Sequence, residues 1–190
     1  LEGETVEAEI VREHQTYSEA EVTKVISRSK DRVKPRCSIY NQCGGCNIMH
    51  LNYEKQLQYK RDIVSESFRK YLGFSPKVNP TIGMSNPFNY RNKAQLHLKE
   101  DKTFLMGLFK ENSNFIIDID KCDVQDKKLN EFLAKLKALI IKSHVKVSKK
   151  GLNRVMVRTN GEEYQVVLVM SNKIKYGNLI NDIEKIGNVS

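Results

Sequence analysis

Long apolar runs are missing from this sequence. Nothing approaches the roughly 20 consecutive apolar residues that a bilayer-spanning helix needs. The opening stretch LEGETVEAEI is acidic and alternating, with neither a basic n-region nor an apolar h-region, so it does not read as a signal peptide. No G-x-G occurs, and the only adjacent glycines are Gly44 and Gly45. A Rossmann-type nucleotide or adenosylmethionine site is therefore not encoded in its usual form. There is no P-loop, no C-x3-C-x2-C spacing of the radical enzymes, no internal repeat and no low-complexity segment. These absences lead to the expectation of a cytosolic, cytoplasmic protein without membrane contact.

Cysteine is scarce, and its placement is uneven. Of four cysteines in 190 residues, three lie in PRCSIYNQCGGCNIMH with the spacing C-x5-C-x2-C, and the fourth is Cys122. In a reducing compartment such clustering points to metal or catalysis rather than to a disulfide framework. A single nucleophile would need a depressed pKa and a base, and would leave the other thiols unexplained. A site of four sulfurs accounts for all of them. Gly44 and Gly45 let the backbone fold tightly between Cys43 and Cys46, and Cys122 follows the apolar stretch FIIDI, a rigid place for a distant ligand. Four thiolates suit either Zn²⁺ or a [4Fe–4S] cluster. One C-x2-C, an outlying Cys37 and one remote ligand fit the cluster better than the paired knuckles of zinc ribbons. If all four bind metal, no thiol in these residues remains for covalent catalysis, and the chain reads as a binding module.

Charge supplies the second theme. The formal net charge is +9, with 29% charged and 39% hydrophobic residues. This is a polar but sufficient core composition, and a balance that attracts phosphate backbones.

Periodicity supplies the elements. Val6, Ala8 and Ile10 alternate in a strand over 5–11 that reads as half-buried, and 19–27 reads as its return strand with a bulge between Val22 and Val25. A helix is expected over 52–74, with Asn52 as N-cap, Gly73 at C′ and a stripe of Tyr53, Leu57, Val64, Phe68 and Tyr71 or Leu72. In 90–100, Ala94, Leu96 and Leu98 alternate with Lys93, Gln95, His97 and Lys99. A hairpin turns at ENSN, Asp126 opens a second helix, and a further hairpin closes at NGEE. A last helix starts near Gly177, with Leu179, Ile180, Ile183 and Ile186 toward a core.

Three segments in combination carry a resemblance: CSIYNQCGGCNIMHLNYEKQLQYKRDIV, NPFNYRNKAQLHL and MGLFKENSNFIIDIDKC. Together they resemble the iron–sulfur-containing RNA (uracil-5-)-methyltransferases of bacteria, and most closely those acting on 23S ribosomal RNA. The resemblance extends over essentially the whole chain. It implies that Cys37, Cys43, Cys46 and Cys122 are the ligands of a [4Fe–4S] cluster, and that YRNKAQLHL is the family's Y-R-x-[RK]-[AV] strand. It implies an α+β fold: the remnant of a TRAM-type β-barrel in residues 1–34, then a central iron–sulfur and RNA-recognition domain in residues 35–190 with an antiparallel sheet.

In that family a nucleophilic cysteine adds to uracil C6, carbon 5 accepts the methyl group of S-adenosylmethionine, and a base removes the C5 proton. None of those residues is matched here. The expectation is an N-terminal and central fragment lacking the methyltransferase domain, inactive alone, in which S-adenosylmethionine belongs to the parent enzyme only. Helix 52–72 is then expected to pack on that domain. Arg91 and Lys93 would face RNA phosphates, and Phe109 and Lys110 would stack on or pair with a splayed nucleotide. The chain is expected to be a monomer that binds RNA, ribosomal rather than transfer. The rival readings are a stand-alone, zinc-dependent RNA-binding module with four cysteine ligands and a tRNA uracil-C5 methyltransferase fragment.

Overall fold

Alternating β-branched and charged residues make the first element a ribbon. In the computed structural model, which describes residues 1–173 and 175–189, β1 (Thr5–Glu13) and β2 (Ser18–Ser27) pair antiparallel. Val6 faces Val25 and Ala8 faces Val22, so the register slips near Thr23. The bulge thus falls within the expected interval, and the Thr23 hydroxyl donates to the Glu7 carbonyl. Half-burial is not observed. Every residue of β1 is exposed, and the ribbon pairs with no further strand. It is an open two-stranded sheet, and no closed barrel is formed among the described residues.

The chain divides into two compact units, residues 1–35 with 48–83, and residues 36–47 with 84–190. The first holds the ribbon and α1 (Tyr53–Leu72). Asn52 caps α1 by accepting from the Lys55 amide, and Gly73 ends it at φ 73°, in the left-handed region that glycine tolerates. No residue of α1 is buried, and Val64, Phe68, Tyr71 and Leu72 of its apolar stripe are exposed.

The second unit is a five-stranded antiparallel sheet in the order β5-β4-β3-β6-β7. Its strands are β3 (Lys93–Glu100), β4 (Phe104–Phe109), β5 (Ile116–Asp118), β6 (Leu152–Thr159) and β7 (Tyr164–Met170). The expected alternation of β3 is observed: Ala94, Leu96 and Leu98 are buried, while Lys93, Gln95 and Lys99 are exposed. The core also takes Met106, Val155 and Val157 from the sheet. Against them lie α2 (Lys127–Lys142) and α3 (Leu179–Glu184). Leu129, Phe132, Leu133, Leu136 and Ile140 form the buried stripe of α2 at helical spacing. In α3, Leu179 and Ile183 are buried, but Ile180 is exposed; on so short a helix it falls on the side away from the core. Among the described residues no helix is long and apolar enough to cross a membrane.

Asp126 caps α2 by accepting from the amides of Lys128 and Leu129. Asp126→Ala is expected to lower stability by about 1 kcal/mol. Urea unfolding of the variant beside the parent chain measures it.

Candidate metal centre and RNA-binding residues

All four cysteines fall in the second unit. Residues 36–47 form a loop against the C-terminal end of β4. The Gly44 amide donates to the Phe109 carbonyl at 3.2 Å, and Cys43 bridges Lys110. The approach is close: a Cβ on Gly44 would stand 3.2 Å from the Phe109 oxygen and 3.2 Å from the Glu111 backbone, and one on Gly45 would stand 3.3 Å from the Cys43 sulfur. The paired glycines therefore serve contact between backbones and the packing of the loop beside its own sulfur.

Cys122 arrives from the other direction, after β5. Its segment is held by a side chain that sequence reading missed. Asn130, on the first turn of α2, accepts from the Cys122 amide at 2.9 Å, and its Nδ2 lies 3.0 Å from the Cys122 carbonyl and 3.1 Å from that of Asp126. Asn89, at φ 56°, adds donation to the Asp123 and Gln125 carbonyls. Arg36, one residue before Cys37, pairs with Asp123 at 3.8 Å and lies over the Phe88 ring at 4.9 Å. The loop bearing three cysteines and the turn bearing the fourth are thereby tied together.

The sulfurs share one electrostatic neighbourhood. Burial, and then the charges of Cys122, Asp123 and Cys43, push the Cys37 thiol above its ordinary value against an amide bond from Ile39. Burial and then Cys122 push Cys46 up, with Arg91 opposing and Cys43 and Cys37 adding. All four are free thiols. The expected metal ligation is not laid out as a finished site: among the described residues no three His, Cys, Asp or Glu side chains stand in a geometry that holds a metal ion. The donor chemistry of the four cysteines fits a thiophilic cation or cluster, whose binding would release their protons. His50 lies in the first unit, its ring kept toward the neutral form by burial and by Arg32.

The expected RNA-binding residues separate. Arg91 is tied by its backbone to Val124 and Asp126, and its charge reaches Cys46. Lys93 stands on β3 opposite Arg158. Phe109 ends β4 with its ring 4.1 Å from that of His97. Lys110 follows it, exposed, at the bridge to Cys43.

No family model matches the chain. An uncharacterized RNA methyltransferase of Bacillus cereus is 41% identical over 162 residues, 84% of this chain and 35% of that protein. One from Streptococcus pyogenes serotype M3 is 34% identical over 195 residues, 97% of this chain and 43% of that protein. Among solved structures, the Pyrococcus abyssi tRNA (uracil-54, C5)-methyltransferase in complex with S-adenosyl-L-homocysteine superposes with a TM-score of 0.63 at 28% identity, over 92% of this chain and 40% of that one. The chain is thus related to RNA methyltransferases, and spans 35% to 43% of the length of these curated relatives.

Two outcomes are expected of the metal-free protein. Asn130→Ala removes the clamp on the Cys122 segment and should cost about 1–3 kcal/mol, read by urea unfolding. The raised Cys37 and Cys46 thiols lose their protons only as pH climbs above the ordinary thiol value of 9.0. The stability they hold is therefore full below that value and falls as pH rises through their folded values. Replacing both by serine should flatten this alkaline decline in a pH series of unfolding midpoints; an unchanged decline would contradict it.

Proposed function

We propose that this chain is the RNA-recognition, cluster-bearing portion of an S-adenosylmethionine-dependent RNA uracil-C5 methyltransferase. The single observation that carries the reading is the meeting of two distant cysteine segments in one unit, in a chain related to RNA methyltransferases. Cys37, Cys43, Cys46 and Cys122 hold a [4Fe–4S] cluster. Its role is structural, because methyl transfer from S-adenosylmethionine needs no redox step. With no G-x-G in these residues, S-adenosylmethionine binding is assigned to the part of the relatives that the chain does not cover. The 190 residues alone are then inactive. Arg91, Lys93, Phe109 and Lys110 contact the RNA.

The substrate that the sequence resemblance favours is 23S ribosomal RNA. A transfer RNA substrate is the second reading, favoured by the solved neighbour, which is named for uracil-54 of tRNA. Deleting the gene that encodes the chain and measuring 5-methyluridine separately in ribosomal and transfer RNA by mass spectrometry tests both. Loss of 5-methyluridine from ribosomal RNA supports the first and loss from transfer RNA the second. Unchanged 5-methyluridine in both fractions overturns the assignment.

A further inference from the structure

One face of the five-stranded sheet is covered by α2 and α3, no helix of the same unit packs on the other among the described residues, and strand register fixes what that open face presents. On β3 and β6, Lys93 pairs with Arg158, Gln95 with Met156 and His97 with Arg154. Across β6 and β7, Arg158 pairs with Gln165, Met156 with Val167 and Arg154 with Val169. Partners in an antiparallel pair project to the same side, so these residues form one continuous surface. On β3, β6 and β7 that surface carries four cations, Lys93, Lys99, Arg154 and Arg158, and no carboxylate; on the β5 edge the same register brings Asp118, which is paired with Lys137.

Three of these cations are also unspent. Among the described residues, Lys93, Arg154 and Arg158 take part in no side-chain ion pair or hydrogen bond, and the Arg154 Nε is buried without an acceptor. Arg154 is half-buried and Arg158 exposed, and the planar fork of a guanidinium suits a phosphate oxygen. In the middle of the same surface the His97 and Phe109 rings lie 4.1 Å apart at 31°. Burial and then the neighbouring Arg154 charge favour the neutral His97 ring, which is the form that offers an aromatic surface without adding charge.

We propose that this open sheet face, with His97 and Phe109 as the stacking surface and Lys93, Arg154 and Arg158 around them, binds single-stranded RNA. The proposal rests on the RNA-recognition reading above and adds to it the location of the contact and three residues, His97, Arg154 and Arg158. A flat sheet with paired rings suits unstacked bases, which any aromatic surface can take. A protein partner fits less well, since the apolar side chains Met156, Val167 and Val169 lie beside Arg154 and Arg158 with no carboxylate on β6 or β7 of that face. Arg154 and Arg158 stand four residues apart on one strand, about 13 Å, so an extended backbone is gripped at two points.

The test is fluorescence anisotropy of the full chain with a labelled single-stranded RNA oligonucleotide of about 12 mixed-sequence nucleotides, at several salt concentrations. Arg154→Gln with Arg158→Gln is expected to weaken binding about tenfold and to reduce the salt slope by about 1.4, roughly 0.7 for each phosphate no longer gripped. His97→Ala is expected to weaken binding about fivefold or more with the slope unchanged, as removal of a stacking surface does. Lys135→Gln with Lys142→Gln, which removes equal charge from exposed positions of α2, is the control and should change affinity less than about twofold. Lys93→Gln, at an exposed position, probes the same face if the arginine pair fails to fold. RNA binding that responds equally to the α2 pair and the sheet pair overturns the sheet-face site and leaves the RNA-recognition reading standing. No RNA binding by the parent chain overturns both.

Discussion

The candidate metal centre depends on one constraint, the joining of two segments far apart in sequence at the end of β4. A loop carrying Cys37, Cys43 and Cys46 lies against β4 through the Gly44 amide and the Phe109 carbonyl, at a separation that a side chain on Gly44 would strain. A turn carrying Cys122 is fixed to the first turn of α2 by Asn130 and faces the loop through the Arg36–Asp123 pair. Neither segment has regular structure of its own. Each borrows rigidity from the sheet and from α2, whose apolar stripe is the centre of the core. Cys37 and Cys46 are held toward the thiol form, first by burial and then by the neighbouring cysteines. A bound thiophilic cation would displace their protons and draw the thiolates toward itself.

The same sheet separates two kinds of chemistry. Its covered face is apolar and gives the unit its stability. Its open face gathers cations around a pair of rings. Elsewhere, Lys137 lies between Asp118 and Asp120, and Arg32 grips Glu4, whose carboxyl it holds far below the usual range. Lys93, Arg154 and Arg158, brought onto one face by the register of β3 and β6, mark a surface suited to an anionic partner. Phe109 links the two regions, since its carbonyl receives the cysteine loop while its ring meets His97.

Much of this was legible in the sequence because it is local. Asn52 and Asp126 announce helix starts through the hydrogen bonds their short side chains make, and the structure has both. The alternation of Ala94, Leu96 and Leu98 gave the buried side of β3. What escaped is tertiary. Asn130 looks like an ordinary polar residue near a helix start, and its role emerges only when the turn at Cys122 folds onto it. Arg154 and Arg158 belong to the face of Lys93 only through the β3–β6 register, which links strands separated by a hairpin and a helix. His97 reads from sequence as lying on the basic face without a role, and its partner Phe109 sits on another strand. Ribbon alternation over 5–11 gave the strand correctly but not its burial, since periodicity shows which side is apolar and not whether anything covers it.

Whether four cysteines from two segments form a single metal site is decided most directly by metal content. Iron, acid-labile sulfide and zinc should be measured on protein purified without oxygen, for the parent chain and for Cys122→Ser. About four irons and four sulfides per chain are expected, with broad absorption near 400 nm, both lost when Cys122 is replaced. One zinc and no iron would contradict the cluster. Metal content indifferent to Cys122 would contradict the single site.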